Sequence, residues 1–527
     1  MVIIGAAARE PYRLHASTQS RKVGFQMKKM LSFLLCVTLL ISVMPAALAQ
    51  EGDNYVHIIG RNLGYAINEN NIILQELEKR TGLDIDWELW PTDGYAQQCQ
   101  LTFGSGEYPD AMEVWWSSWP NQFIELIEDG VVQPVDDLIA ANAPNVQATR
   151  SDSDYYDYGD GRKWAIPCRV LEDGNTYCVV IRQDWLDKLG LPVPTSSEEY
   201  FNTLQAFQEH AEELTGNPDA IAAHGACTTY FGNCLTEYVF SENGFQKAWN
   251  DVDGTMVYYI NMPGYKNAMR TLRKFYQAGL IEPEYLLMNR DQFLDKLYTN
   301  VYGAFDYSTD ILDPAITSWT KGLYDAVPEA RLTVIPPFAD ENGETHLRTV
   351  GQSIQCVVFE NAEHPENVMK LLNYLATEEG MLLTQFGIEG EHWQYDENGN
   401  PQSLLTTDEE RAAVGTGSYA WMYRLSYFNA AFSSEFDDER ALISAATVPT
   451  AVMPTTASYM DSKATLTSLV STYTAELICN PDIDFDETFD KYIKEWNELG
   501  GELWTQEINE YWQSRQEAHP YQKGEGP

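Results

Sequence analysis

Residues 179–207, VVIRQDWLDKLGLPVPTSSEEYFNTLQAF, leave the chain little freedom. Val179, Val180 and Ile181 are a short apolar run suited to the tail of a strand. Trp185, Leu186 and Leu189 then give one face of a helix, and Gly190 stands where a helix end wants positive φ. Pro192 and Pro194 forbid continuation. Thr195 or Ser196 caps a second helix, with Glu198 and Glu199 each three residues further on, the capping-box spacing. Tyr200, Leu204, Phe207 and Ala211 mark its buried face.

The same alternation opens the folded region. Residues 55–59 are β-rich, a helix carrying Ile72, Ile73 and Leu77 stops at Gly82, and 83–89 (LDIDWEL) alternates as a half-buried strand. A β-α-β start of this kind predicts an open α/β sheet. Further strands are expected at 111–116, 164–166, 255–260, 301–307, 332–335 and 353–359. Helices are expected at 121–129, from Pro263 to Gly279, after Pro365, and over 485–500 and 503–512 in a mainly helical C-terminal part. No internal repeat or long linker occurs, so several chain crossings should join the lobes.

Lys28 and Lys29 precede the apolar run 30–44, and Ala47-Leu48-Ala49 is a small-residue cleavage pattern, so 1–49 reads as an upstream extension and signal peptide. About 478 residues follow, too many for one core. The formal charge is −44, and removing 1–49 leaves 28 Lys and Arg against 77 Asp and Glu. Such a field repels nucleic acid and anionic membrane surfaces, and it disfavours anionic ligands unless a local basic site overrides it.

Little in the sequence carries catalytic chemistry. Eight cysteines include Cys36 in the leader; Cys227 with Cys234 and Cys168 with Cys178 are near enough in sequence to test as disulfides. No CxxC or HExxH occurs, and no metal site or cofactor is expected. Asp482, Asp484 and Asp486 alternate like a calcium loop, but Glu487 and Ile493 fill positions needing Gly and Glu, so an acidic helix lead-in is expected. Gly104-Ser105-Gly106 lacks the frame of a nucleophile elbow, and no carboxylate pair stands out.

Aromatic residues at strand ends are better candidates. Trp115, Trp116 and Trp119 follow one strand, where ligands of α/β sheets bind, and flat rings suit the C–H faces of sugars. Trp87, Trp185 and Trp496 read as core. Asp306, Tyr307 and Asp310 end the strand GAFDYSTD and are candidates to line a cleft. Tyr419, Trp421 and Tyr423 in SYAWMYRL read as packing rather than ligand contacts.

The segment 181–207 resembles the point in the extracellular solute-binding proteins, family 1, where one lobe hands over to the other. The likeness is to the Gram-positive lipoprotein branch that serves carbohydrate ABC importers. Other landmarks fall in order: YPDAMEV (108–114), EDGVVQPVDDLIAANAPN (128–145), DGRKWAIP (160–167), PGYKNAMRTLRKFYQAGLIEPEY (263–285), HPENVMKLLNYLATEEG (364–380) and FGIEGEHWQYDENGNP (386–401). Together they span nearly all of 55–514.

The resemblance implies a two-lobed periplasmic-binding-protein-like α/β fold, with a hinge of several chain crossings and a helical C-terminal part. Lobe one would hold 54–170 plus 332–361, and lobe two 171–331 plus 362–527. It also implies a monomer, with no catalysis, that closes over a carbohydrate and presents it to membrane permease subunits at the extracellular face. By position, Trp115, Trp116 and Tyr307 match the family's cleft aromatics, Trp421 more loosely; Arg61, Asn62 and Arg348 are candidate hydrogen-bonding residues. Two features depart from relatives. The cleavage site reads ALAQ without a lipobox cysteine, and 208–220 (QEHAEELTGNPDA) lacks the calcium-loop spacing of some oligosaccharide binders. A secreted carbohydrate-active enzyme, or a receptor presenting ligand to a membrane sensor, are the alternatives.

Overall fold

The computed structural model describes residues 52–518, apart from 63–70, 92–93, 116–122, 124–125, 128, 152–153, 156–161, 170–176, 218–219, 221–222, 227–233, 314–317, 349–353, 398, 426–433, 449–452 and 454–455. Asn54 onward is one compact unit. The expected leader, Trp116, Trp119 and most of the expected helix at 121–129 lie outside the described residues.

The principal strands are β1 (Tyr55–Asn62), β2 (Asp84–Pro91), β3 (Ala111–Trp115), β4 (Ile166–Pro167), β5 (Tyr177–Arg182), β6 (Ala223–Gly225), β7 (Tyr302–Ser308), β8 (Leu332–Val334), β9 (Leu347–Arg348), β10 (Ile354–Val358) and β11 (Thr447–Val448). The helices that matter are α1 (Ile72–Thr81), α2 (Tyr95–Ser105), α3 (Gln183–Leu189), α4 (Ser197–Glu209), α5 (Cys234–Glu242), α6 (Tyr265–Gln277), α7 (Pro365–Leu375), α8 (Glu378–Phe386), α9 (Ala457–Cys479), α10 (Phe485–Trp496) and α11 (Glu502–Ala518).

The first sheet has the order β2-β1-β3-β10-β4. β1 runs parallel to β2 and β3, with Tyr55 opposite Asp84 and Ile58 opposite Ala111, and β10 returns antiparallel beside β3. Side chains alternate between its two faces. Val56, Ile58, Cys356 and Val358 pack under α1, α7 and α8, while Ile59, Met112, Val114 and Val357 pack against α2 and Trp164. Both faces are covered, as a mostly parallel sheet requires.

The second sheet has the order β8-β5-β7-β6, and every residue of β7 is buried. The 179–207 segment builds its core. Gly190 takes φ 66° to end α3, and Ser196 accepts the Glu199 N–H at 3.2 Å while Glu199 Oε2 accepts the Thr195 N–H at 2.8 Å. Trp185 and Phe207 meet edge to face, with centroids 5.3 Å apart, over Gly303 of β7. A Cβ on Gly303 would lie 2.4 Å from Phe207 and 2.8 Å from Trp185, so the strand needs a glycine there. Trp87, Trp185 and Trp496 are all core, and Asp484 caps α10 by accepting from the Glu487 N–H.

The packing corrects the expected lobe boundaries. β8 pairs antiparallel with β5, Leu332 opposite Arg182, so 332–338 belongs with the second core. Residues 368–425, including α7, α8, Tyr419 and Tyr423, pack on the first core because their apolar faces cover β1 and β10. The second core regains the chain from Ile443 through Trp512. Among the described residues the chain therefore changes core three times, between Cys168 and Tyr177, between Leu347 and Ile354, and between Leu425 and Phe436. The sequence-suggested Cys168–Cys178 disulfide is not formed, both being free, buried thiols, while Cys227 of the other suggested pair lies outside the described residues.

Candidate functional site

In the first sheet the carboxyl ends of β1 and β3 fall on one edge, at Asn62 and Trp115, and β10 begins on that edge, with Ile354 opposite Trp115. β4 ends there too, since Pro167 pairs with Gln355 and the Cys168 N–H donates to the Ile354 oxygen at 3.1 Å. In the second sheet β6 and β7 are parallel, so Gly225 and Ser308 end on one edge; antiparallel β5 starts there, Tyr177 opposite Ser308.

The connections leave from these same edges. Pro167 to Tyr177 is ten residues, at most about 35 Å of extended chain, and Arg348 to Ile354 is six, about 20 Å. The loop-bearing ends of both sheets are thereby held toward each other. A direct contact crosses the gap: an Arg424 Nη lies 3.9 Å from Asp310 Oδ1, and the Arg424 N–H donates to the Cys168 oxygen at 2.8 Å. This is the place where open α/β sheets bind ligands.

The expected residues divide between framework and edge. Arg61 is buried, with its Nε 3.3 Å from Glu113 Oε1, and Tyr95 donates to the Glu113 carbonyl at 2.6 Å. That ion pair ties the end of β1 to β3. Asp306 is also buried: its two oxygens accept the Cys234 and Leu235 N–H groups at 3.1 and 3.0 Å, and Oδ1 lies 3.1 Å from His224 Nε2. A carboxylate at the first turn of α5 complements the helix dipole, so Asp306 caps a helix within the lobe. Tyr307 is buried on the opposite face of β7. Asn62 and Trp115 end their strands on the first edge.

Trp421 is half-buried, and the guanidinium carbons of Arg169 and Arg424 lie 5.0 and 5.2 Å from its ring centroid. Arg348 donates from Nε to Glu237 Oε1 at 2.9 Å, and the Glu237 carboxylate raises its already high pKa. Sequence reasoning missed Tyr177, Arg169, Lys247, Glu237 and Arg424. Tyr177 is 37% exposed, and its hydroxyl feels the charges of Arg169, Asp310 and Arg348. The signal available for it was position: it is the polar-flanked aromatic that starts the very strand ending at Arg182.

A sequence model described as bacterial extracellular solute-binding protein matches residues 68–382. The fructooligosaccharide ABC transporter substrate-binding protein FusA of Streptococcus pneumoniae is 26% identical over 298 residues, 53% of this chain and 52% of that one. Lipoprotein LipO of Bacillus subtilis is 21% identical over 339 residues, 61% of this chain and 64% of that one. The chain thus spans about half to under two thirds of the length of these relatives. Among solved structures, Streptococcus pneumoniae FusA in complex with kestose superposes with a TM-score of 0.61 at 18% identity, covering 88% of this chain and 99% of that one. An HMO-binding, ABC-transporter-associated solute-binding protein from Bifidobacterium longum infantis gives a TM-score of 0.67 at 17% identity, covering 90% and 100%. These likenesses establish the two-lobed fold, and the match over 68–382 settles the family: the chain belongs to the bacterial extracellular solute-binding proteins.

Proposed function

We propose that the chain captures an oligosaccharide between the facing edges of its two lobes and delivers it to the permease of an ABC importer. It does so as a monomer and without chemistry on the ligand. The observation that carries this reading is the convergence of both loop-bearing sheet edges at the three chain connections, within this family's fold. Trp115, Trp116, Trp119 and Trp421 supply ring faces, Asn62 and Arg348 polar contacts, while Arg61, Asp306 and Tyr307 hold the strand ends in place. The sugars named for the pneumococcal and bifidobacterial relatives support the ligand class. Residues 1–49 direct export, which places the mature chain at the extracellular face.

Tryptophan fluorescence and thermal unfolding across an oligosaccharide panel test the reading. A sugar that binds should shift both, and a micromolar dissociation constant corresponds to about 8 kcal/mol. A shift with peptides and none with any glycan overturns the sugar assignment; new reducing ends on incubation with glycans identify an enzyme instead. Trp116→Ala should weaken binding about tenfold or more, as loss of a stacking ring does, without lowering the melting temperature.

A further inference from the structure

We propose that the turn 340–346 (DENGETH) is a site for a divalent transition-metal ion of the Zn²⁺ class, held by Asp340, Glu344 and His346. One donor atom of each, a carboxylate oxygen from the two acids and a ring nitrogen from the histidine, lies within 4.8 Å of the other two. The sequence predicts no metal site, since CxxC and HExxH are absent; this turn needs neither, and it is a different segment from 208–220.

The turn is already held in shape at both ends. Ser241 Oγ of α5 donates to the Phe338 oxygen at 2.7 Å and accepts the His346 N–H at 2.9 Å. Between them, Asp340 Oδ1 accepts the Asn342 and Glu344 N–H groups, each at 2.9 Å, and the Gly343 N–H donates to the Asp340 carbonyl at 3.0 Å. Oδ1 is thus engaged by the backbone, while Oδ2 faces His346 Nε2 at 3.1 Å, with the Asn342 amide nitrogen at 3.5 Å. Two ligands of a four-coordinate zinc ion, on bonds of about 2.0–2.1 Å, stand about 3.3 Å apart, so Oδ2 and Nε2 are already at ligand spacing. On loading, the ring keeps its proton on Nδ1 and Nε2 takes the metal in place of its contact with Oδ2. The Glu344 carboxylate is exposed and has no side-chain partner among the described residues, so it can turn in as the third ligand without breaking a contact.

The local charge favours a cation. Among the described residues, Asp340 pairs with His346 and with no Lys or Arg, and Glu344 pairs with neither. Helix α5 ends alongside: a Cβ on Gly244, just beyond it, would lie 3.9 Å from Asp340 Oδ2. A helix C-terminus carries negative partial charge and stabilises a positive ion. An imidazole among the donors selects Zn²⁺, Co²⁺ or Ni²⁺ over Ca²⁺ and Mg²⁺, which take oxygen ligands. Three protein ligands leave a fourth position to water. The residue after His346, Leu347, is the last of the second core before the chain crosses to the first at Ile354. An ion here clamps to α5 the turn from which that crossing starts.

The test uses the mature full-length chain, stripped with a chelator and dialysed. It needs no sugar, so its outcome is separate from that of the glycan panel. Calorimetric titration with zinc chloride should find a site with a dissociation constant of about 100 µM or tighter. Zn²⁺ should raise the melting temperature, and the same concentration of Ca²⁺ should not. Glu344→Gln should melt like the parent without metal and bind Zn²⁺ about tenfold or more weakly. His346→Gln keeps the main-chain N–H that reaches Ser241, and it should lose at least as much affinity. Co²⁺ should give the visible absorption bands of a low-coordinate ion in the parent and lose them in His346→Gln. No Zn²⁺ site tighter than about 100 µM overturns the inference. So does a Zn²⁺ affinity unchanged in Glu344→Gln or His346→Gln, which would put the ion on other surface acids. Ca²⁺ binding as tightly as Zn²⁺ overturns it too, because the imidazole would then not be a ligand.

Discussion

The Arg150 guanidinium donates to the main-chain oxygen of Arg424 at 2.6 Å, across 274 residues of sequence, and from Nε to the oxygen of Pro167 at 2.9 Å. Pro167 precedes the first connection between the lobes, and Arg424 precedes the third. One buried cation, lying 4.0 Å from the Tyr423 ring centroid, therefore fixes the take-off points of two of the three connections.

Arg150→Met keeps much of the side-chain volume and removes the donors. Withdrawing charge-assisted hydrogen bonds from three main-chain oxygens, those of Thr149, Pro167 and Arg424, should cost about 2–4 kcal/mol. Urea unfolding should show a lower midpoint at an unchanged slope. A midpoint equal to that of the parent chain would show that other donors satisfy all three oxygens.

Gly303 offers a steric test of the second core. Gly303→Ala places a methyl group 2.4 Å from Phe207, well inside contact distance. Either β7 or the Trp185–Phe207 pair must shift, for about 1–3 kcal/mol. Combining it with Phe207→Leu should recover part of that loss, because the larger ring is the obstacle. Additive losses in the double variant would place the strain elsewhere.

Asp306 separates framework from binding. Asp306→Asn keeps the shape but removes the charge facing the first turn of α5 and His224. Stability should fall by about 1–2 kcal/mol, as for loss of a helix cap and its dipole interaction. Affinity for a bound sugar should stay within about threefold, a change under 1 kcal/mol. A large loss of affinity at an unchanged melting temperature would return Asp306 to the ligand.

Much of the fold was legible because its signals are local. Gly82 and Gly190 end helices in the left-handed region, Ser196 and Asp484 cap, and Pro365 starts α7. The lobe boundaries were not. Three-residue β8 carries no information about its partner, and only register shows Leu332 beside Arg182. Helix α9 was hidden because its Ser- and Thr-rich 23 residues show no clean apolar stripe. At the site, Asp306 reads as a strand-end acid; the amides it caps lie 71 and 72 residues earlier, where sequence spacing gives no hint. Tyr177 and Lys247 were missed for the same reason, since their neighbours are assembled only by the fold.

Asp340 supplies a pH prediction with a definite sign. Its Oδ1 accepts the Asn342 and Glu344 N–H groups, each at 2.9 Å, and its Oδ2 lies 3.1 Å from His346 Nε2. The His346 N–H in turn donates to Ser241 Oγ of α5 at 2.9 Å, so the turn is pinned to the second core. Burial pushes the carboxyl up, but the Glu344 N–H, His346 and the Asn342 N–H outweigh it and hold the pKa at about 2, against an ordinary 3.8. A depressed folded-state pKa stabilises the fold above the unfolded value, and that contribution disappears as the group protonates, between about pH 4 and pH 2. Other carboxylates titrate in the same window, so the readout is a difference between two proteins. Calorimetry should find Asp340→Asn less stable than the parent at pH 6, with the gap closing as pH falls from about 4 toward 2. A gap that stays constant over that range would mean the turn does not depend on the charge of Asp340.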